Sequence, residues 1–156
     1  VGSEMCIRDR VERDFAGRDL VIVAVLKGCV LFLADLLRHL EIPATLDFVE
    51  VSSYREGTQP GGLVLVKPLS VPVMGRSVLL VDDILDTGRT ADFITRMLEA
   101  AGASEVRTCF LLAKNRTEAR GDYVGFQVED LFVVGYGLDH AERFRHLPYI
   151  AALRSE

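Results

Sequence analysis

The sequence predicts an α/β protein, built as a doubly wound, mainly parallel sheet flanked by helices. Three observations predict it. Val21–Leu26 and Val78–Val81 are apolar at every position, as strands covered on both faces are. Strand-like and helix-like stretches alternate along the chain. The length, 156 residues, is one domain's worth on a prior of roughly 100–200 residues per domain.

Each element can be justified in order. Leu20–Leu26 (LVIVAVL) is the first strand, rich in β-branched residues. Gly28–Leu40 follows as a helix, with Phe32, Leu33, Leu36, Leu37 and Leu40 on one face. Ala44–Ser52 is a strand that alternates at Leu46, Phe48 and Glu50, and Leu63–Lys67 is another beyond a Gly-rich turn. Ser77–Val81 is a buried strand. Thr90–Ala101 repeats the helical spacing through Phe93, Ile94, Met97 and Leu98, and Gly102 stands where a left-handed cap is expected. Val106–Ala113 and Leu131–Val134 complete the strands, with a short turn at Arg116–Arg120. The order implies one antiparallel excursion around residues 45–67. Residues 1–10 (VGSEMCIRDR) show neither a clean period nor a cap. They are read as a non-native or disordered segment ahead of a single domain over residues 11–156.

Composition narrows the function. Hydrophobic residues make up 49% and charged residues 26%, enough apolar surface to offset the entropy of ordering. No apolar run approaches the ~20 residues that span a bilayer, and no signal-peptide pattern is visible. A net charge of −5 argues against a general nucleic-acid or anionic-membrane binder. Three cysteines (Cys6, Cys29 and Cys109) share no metal-type spacing, which fits a reducing, cytoplasmic setting.

In a doubly wound sheet, ligands sit at the carboxyl ends of the strands. The residues there read Lys27-Gly28, Asp82-Asp83, Lys114 and Gly135-Tyr136-Gly137. The richest segment is VLLVDDILDTGRT, residues 78–90. A buried strand runs into two carboxylates, then a loop, then a helix entrance with Asp86, Thr87, Gly88, Arg89 and Thr90. Gly88 lets the backbone turn tightly, and successive N–H groups at a helix N-terminus suit a phosphate. The spacing is neither a P-loop nor a Gly-x-Gly-x-x-Gly loop. Carboxylates beside a phosphate repel it unless they hold sugar hydroxyls or Mg²⁺. The segment therefore calls for a phosphorylated sugar with free hydroxyls and a metal.

That string closely resembles the 5-phosphoribosyl-1-diphosphate (PRPP) motif of the type I phosphoribosyltransferases. Leu26-Lys27-Gly28, Ser52-Ser53-Tyr54, Leu111–Lys114 and the stretch Asp122–Ile150 resemble the hypoxanthine-guanine branch of that family, in order over roughly residues 11–152. The resemblance implies the type I phosphoribosyltransferase fold with a small C-terminal hood region. It implies Mg²⁺-dependent transfer of the phosphoribosyl group from PRPP to N9 of hypoxanthine or guanine, in purine salvage. It also implies site residues. Lys27 and Gly28 form the pyrophosphate loop, where the peptide before the lysine can be cis. Asp82 and Asp83 hold ribose hydroxyls and, with Asp139, Mg²⁺. Asp86 is the general acid or base at purine N7, or a pure hydrogen-bond acceptor there. Thr87, Gly88, Arg89 and Thr90 bind phosphate, and Arg145 contacts pyrophosphate. Lys114 donates to purine O6, Phe132 stacks on the base and the Val133 backbone reads its edge. Ser53 and Tyr54 open a lid loop over Arg55–Gly62. The family's longer start is reduced here to a remnant within Val11–Asp19, and self-association as a dimer or tetramer is expected.

Two rival readings keep the same fold. One changes the base to xanthine or another purine. The other is a PRPP-sensing regulator, which would be expected to carry a basic face or an added DNA-binding domain.

Overall fold

The computed structural model describes residues 2–53 and 62–153. In chain order the elements are α1 (Gly2–Phe15), β1 (Leu20–Leu26), α2 (Val30–His39), β2 (Ala44–Ser53), β3 (Leu63–Lys67) and β4 (Ser77–Leu85). There follow α3 (Arg89–Ala100), β5 (Glu105–Lys114), β6 (Tyr123–Val128), β7 (Val133–Val134) and β8 (Ala151–Ala152). Six strands form the main sheet in the order β3-β2-β1-β4-β5-β6. All its ladders are parallel except β2–β3, the predicted excursion.

Alternation along the two central strands feeds a separate core on each face. Ile22, Ala24, Leu79 and Val81 meet Ile7, Val11 and Phe15 of α1 and Phe32 and Leu36 of α2. Val21, Val23, Val78 and Leu80 meet Ile94 and Leu98 of α3. Each such side chain contributes about 1.5–3 kcal/mol on full burial. Helix α3 ends as its sequence predicts. Gly102 takes φ +88°, the Gly102 N–H donates to Glu99 and the Ala103 N–H donates to Leu98, the two bonds of a Schellman cap.

Four elements differ from the sequence reading. The break set at residue 10 is no break in the helix: α1 runs through it, and Ile7 is buried with Val11 and Phe15 in a stripe at four-residue spacing. The side chains of β2 that bury fully are Asp47 and Val49, not Leu46. The sixth strand of the sheet is Tyr123–Val128, whereas Leu131 and Phe132 are exposed and only Val133–Val134 pairs, with Ala151–Ala152, in a separate two-stranded sheet. Strand β4 continues past Val81 because β5 lies alongside it as far as Leu85 opposite Ala113. Asp82 and Asp83 are therefore inside a strand rather than after one.

Candidate active site

Strands β1 and β4 are central neighbours, and their crossovers through α2 and α3 leave in opposite directions, to β2 and to β5. This is the switch point at which open α/β sheets bind ligands. The β1 end supplies a tight loop. The Leu26–Lys27 peptide is cis. A Cβ on Gly28 would stand 1.6 Å from Asp83 Oδ2, so any larger residue would push that carboxylate out of place. The Lys27 ammonium is exposed and lies 3.4 Å from Glu142 Oε2.

The β4 end supplies the charge. Asp82 is buried, and its Oδ1 accepts the Asp83 N–H at 2.8 Å, while Asp83 Oδ1 accepts the Ile84 N–H at 2.7 Å. Burial raises the pKa of both, and the charge of Asp83 raises Asp82 further; the nearby Arg145 offsets part of the effect on Asp83. Gly88 begins α3 in the left-handed region at φ +81°, and its Cβ would meet Ala119 at 2.7 Å. Gly28, Asp82, Asp83, Asp86, Thr87, Gly88, Arg89 and Thr90 line one cavity of about 280 Å³. The N–H groups of a first helical turn lack intrahelical partners and favour an anion.

Two adjacent carboxylates, one buried and one half-buried, that form no ion pair among the described residues are a donor set that suits Mg²⁺, which commonly takes one or two carboxylates together with substrate phosphates. Among the described residues no three of His, Cys, Asp or Glu converge as a metal cage. The expected trio of Asp82, Asp83 and Asp139 is thus not assembled. Asp139 instead pairs with Arg145 at 2.9 Å and accepts the Glu142 N–H at 2.8 Å.

A second cavity of about 220 Å³ adjoins the first and shares Asp83, Ile84 and Asp86 with it. Its other walls include Lys114, Phe132, Val133 and Asp139. Phe132 is 53% exposed, unlike a core aromatic, and meets His140 edge-on with centroids 5.2 Å apart. Lys114 is held at 3.4 Å from Asp86 Oδ2 and 3.2 Å from Asp130 Oδ1. Arg116 reaches the other oxygens of the same carboxylates, Asp86 Oδ1 at 3.0 Å and Asp130 Oδ2 at 2.9 Å.

The segment after β6 roofs the β1 loop. Gly137, at φ +98°, packs so closely that its Cβ would stand 2.1 Å from the Gly28 carbonyl oxygen. The Tyr136 hydroxyl donates to the Asp35 carboxylate of α2. Arg145 lines neither cavity. Its guanidinium donates to the Gly137 carbonyl at 2.8 Å and pairs with Asp139 and Glu142, while its Nε is buried with no hydrogen-bond partner among the described residues. Ser53 is exposed at the end of β2, and Tyr54 lies outside the described residues.

Sequence reasoning missed Asp130, Arg116 and Glu142. Arg116 and Asp130 stand on separate turns and meet only because β5 and β6 pair. The one available signal was the density of charge just after Ala113 and Val128.

Comparison with known proteins places this geometry. The family model for the phosphoribosyl transferase domain matches residues 6–141. The hypoxanthine-guanine phosphoribosyltransferase of Staphylococcus epidermidis is 41% identical over 150 residues, 94% of this chain and 84% of that protein. A bifunctional TilS/HprT protein of Listeria monocytogenes is 44% identical over 147 residues, 92% of this chain; the chain spans only 23% of that relative's length. A crystal structure of a hypoxanthine-guanine phosphoribosyltransferase from Bacillus anthracis superimposes with a TM-score of 0.90 at 39% identity, covering 97% of this chain and 92% of that one.

Proposed function

The chain belongs to the phosphoribosyl transferase family, and from that premise we propose that it transfers the 5-phosphoribosyl group of PRPP to N9 of hypoxanthine or guanine. The C1′–O bond to diphosphate breaks, the C1′–N9 bond forms, and the purine gives up a proton. The observation that carries the reading is the pair of adjoining cavities sharing Asp83, Ile84 and Asp86. One is built for a phosphorylated sugar and the other has an ammonium and an exposed aromatic ring for a base.

The residues divide the work. Thr87–Thr90 take the 5′-phosphate at the start of α3. Gly28 lets the diphosphate approach the backbone beside Lys27. Asp82 and Asp83 hold the ribose hydroxyls and Mg²⁺, which supplies charge neutralisation to the diphosphate when bound. Asp86 takes or holds the proton at purine N7. Lys114 donates to O6, and a 6-amino purine would set donor against donor. Phe132 stacks on the ring and the Val133 backbone meets its edge. Arg145 contacts the diphosphate, and also holds the loop of Gly137 over Gly28. Ser53, at the end of β2, would lead into the lid. The three cysteines are free, which suits a cytoplasmic enzyme. The working form is a homo-dimer or homo-tetramer, checked by light scattering.

The test is a spectrophotometric assay with Mg²⁺ and PRPP, offering hypoxanthine, guanine, xanthine and adenine in parallel. Nucleotide from hypoxanthine or guanine and none from adenine is expected. No product from any base, with folded protein, overturns the reading.

A further inference from the structure

Four charges, two of them in the wall of the base cavity, form a closed ring. Lys114 and Arg116 alternate with Asp86 and Asp130, and every carboxylate oxygen has a cation within 3.4 Å. The two cations are not equivalent. Lys114 is nearly enclosed, its side chain 12% exposed, and it lines the cavity. Arg116 stands outside the cavity wall with its side chain 54% exposed, on a turn closed by the Thr117 N–H donating to the Lys114 carbonyl and the Asn115 N–H donating to Val128. Its fork spans two chain segments, the loop after β4 and the turn after β6.

We infer that Arg116 is a positioning residue for Asp86, and that the ring opens at one contact only when a purine enters. This rests on the proposed transfer reaction. A 6-oxopurine offers O6 to the Lys114 ammonium, which lines the cavity the base would enter. Lys114 lets go of Asp86 Oδ2, its longest contact in the ring, and keeps Asp130. Arg116 stays on Asp86 Oδ1 and Asp130 Oδ2 through its two terminal nitrogens, a geometry that a planar fork holds and a point charge does not. The carboxylate is therefore held by Oδ1 on Arg116 while its freed oxygen, Oδ2, faces purine N7. Without Arg116, Asp86 loses its remaining cation at the moment the base binds. It would then follow Lys114 or swing toward solvent, and a misplacement of about 1 Å at a reacting group costs up to a hundredfold in rate.

The experiment is steady-state kinetics of the whole chain and of Arg116→Gln, Arg116→Lys and Asp130→Asn, with purine and PRPP varied separately. For Arg116→Gln we expect kcat and purine kcat/KM to fall roughly ten- to a hundredfold, with PRPP KM within about twofold of wild type. Arg116→Lys restores only a small part, because one ammonium cannot span both carboxylates. Asp130→Asn gives an intermediate loss in the same parameters. Unchanged kcat in Arg116→Gln, or full rescue by lysine, overturns the positioning role. Equal losses for PRPP and purine, with a lowered melting temperature, would make Arg116 a structural brace and equally overturn it. Wild-type protein that makes no nucleotide fails the reaction itself, an outcome distinct from a wild-type enzyme indifferent to Arg116.

Discussion

Two buried carboxylate sites sit on the same sheet and behave oppositely. Asp47 on β2 accepts N–H groups from Ser70 at 2.6 Å, Val71 at 2.9 Å and Phe48 at 2.8 Å, and faces Lys67 Nζ at 3.3 Å. Burial pushes its pKa up, but these donors outweigh it and the net direction is down. On β4, Asp82 is buried and Asp83 half-buried; each accepts the next residue's N–H, no lysine or arginine pairs with either among the described residues, and their pKa values rise. A carboxylate whose lone pairs are filled by its own chain fastens the β2–β3 corner. A carboxylate left with lone pairs to spare, against a cavity, awaits a ligand.

The comparison can be broken or sharpened in steps of decreasing size. Asp86→Asn, just beyond the unfilled pair, lowers turnover by about 10²–10⁴-fold while PRPP binding stays largely intact; single-turnover kinetics with unchanged rates would remove Asp86 from proton transfer. Asp47→Ala costs about 3 kcal/mol of unfolding free energy, read from urea titration, while the folded fraction keeps wild-type specific activity. A change in activity with stability intact would erase the distinction between the two sites. Asp82→Asn has the opposite sign: the ligand-free protein gains about 1 kcal/mol at neutral pH as a buried charge is removed, and PRPP-dependent activity falls. Destabilisation would place Asp82 with Asp47.

Acid melts give the smallest and most diagnostic effect. Asp47 has a lowered folded pKa, so its contribution is whole above the ordinary carboxylate value and drains away as pH falls through the lowered one. Asp82 has a raised folded pKa, so its contribution is whole below the ordinary value and is lost as pH rises through the raised one. Melting curves of wild type and Asp82→Asn converge as pH falls toward about 3.9. Those of wild type and Asp47→Ala converge only below it. Parallel curves throughout would mean that neither group titrates differently on folding.

The sequence revealed the parts that depend on local pattern. Val21–Leu26, Val78–Val81 and the two amphipathic helices are periodic enough to read directly, and residues of the string 78–90 line the first cavity. What escaped was set by long-range pairing. Tyr123–Val128 contains Gly125 and Gln127 and lies at the sheet edge, so its apolar signal is weak. Leu131 and Phe132 looked like strand because they are apolar, although Phe132 is exposed beside the base cavity. Asp47 was hidden between apolar neighbours. Arg116 and Asp130 gain meaning only once β5 and β6 pair side by side.

The central pairing has a consequence for how the molecule is made. Leu20 lies between Ala44 on one side and Ser77 on the other, and the β1 loop is roofed only when Gly137 settles on Gly28. Closing such long loops costs entropy before any contact rewards it. A ribosome-bound chain that has emerged only as far as β3 therefore carries half a sheet and no cleft. A ligand of the first cavity can stabilise the fold by mass action only once β4, α3 and β5 have docked, so it can rescue a folded molecule but cannot guide the first steps of its assembly.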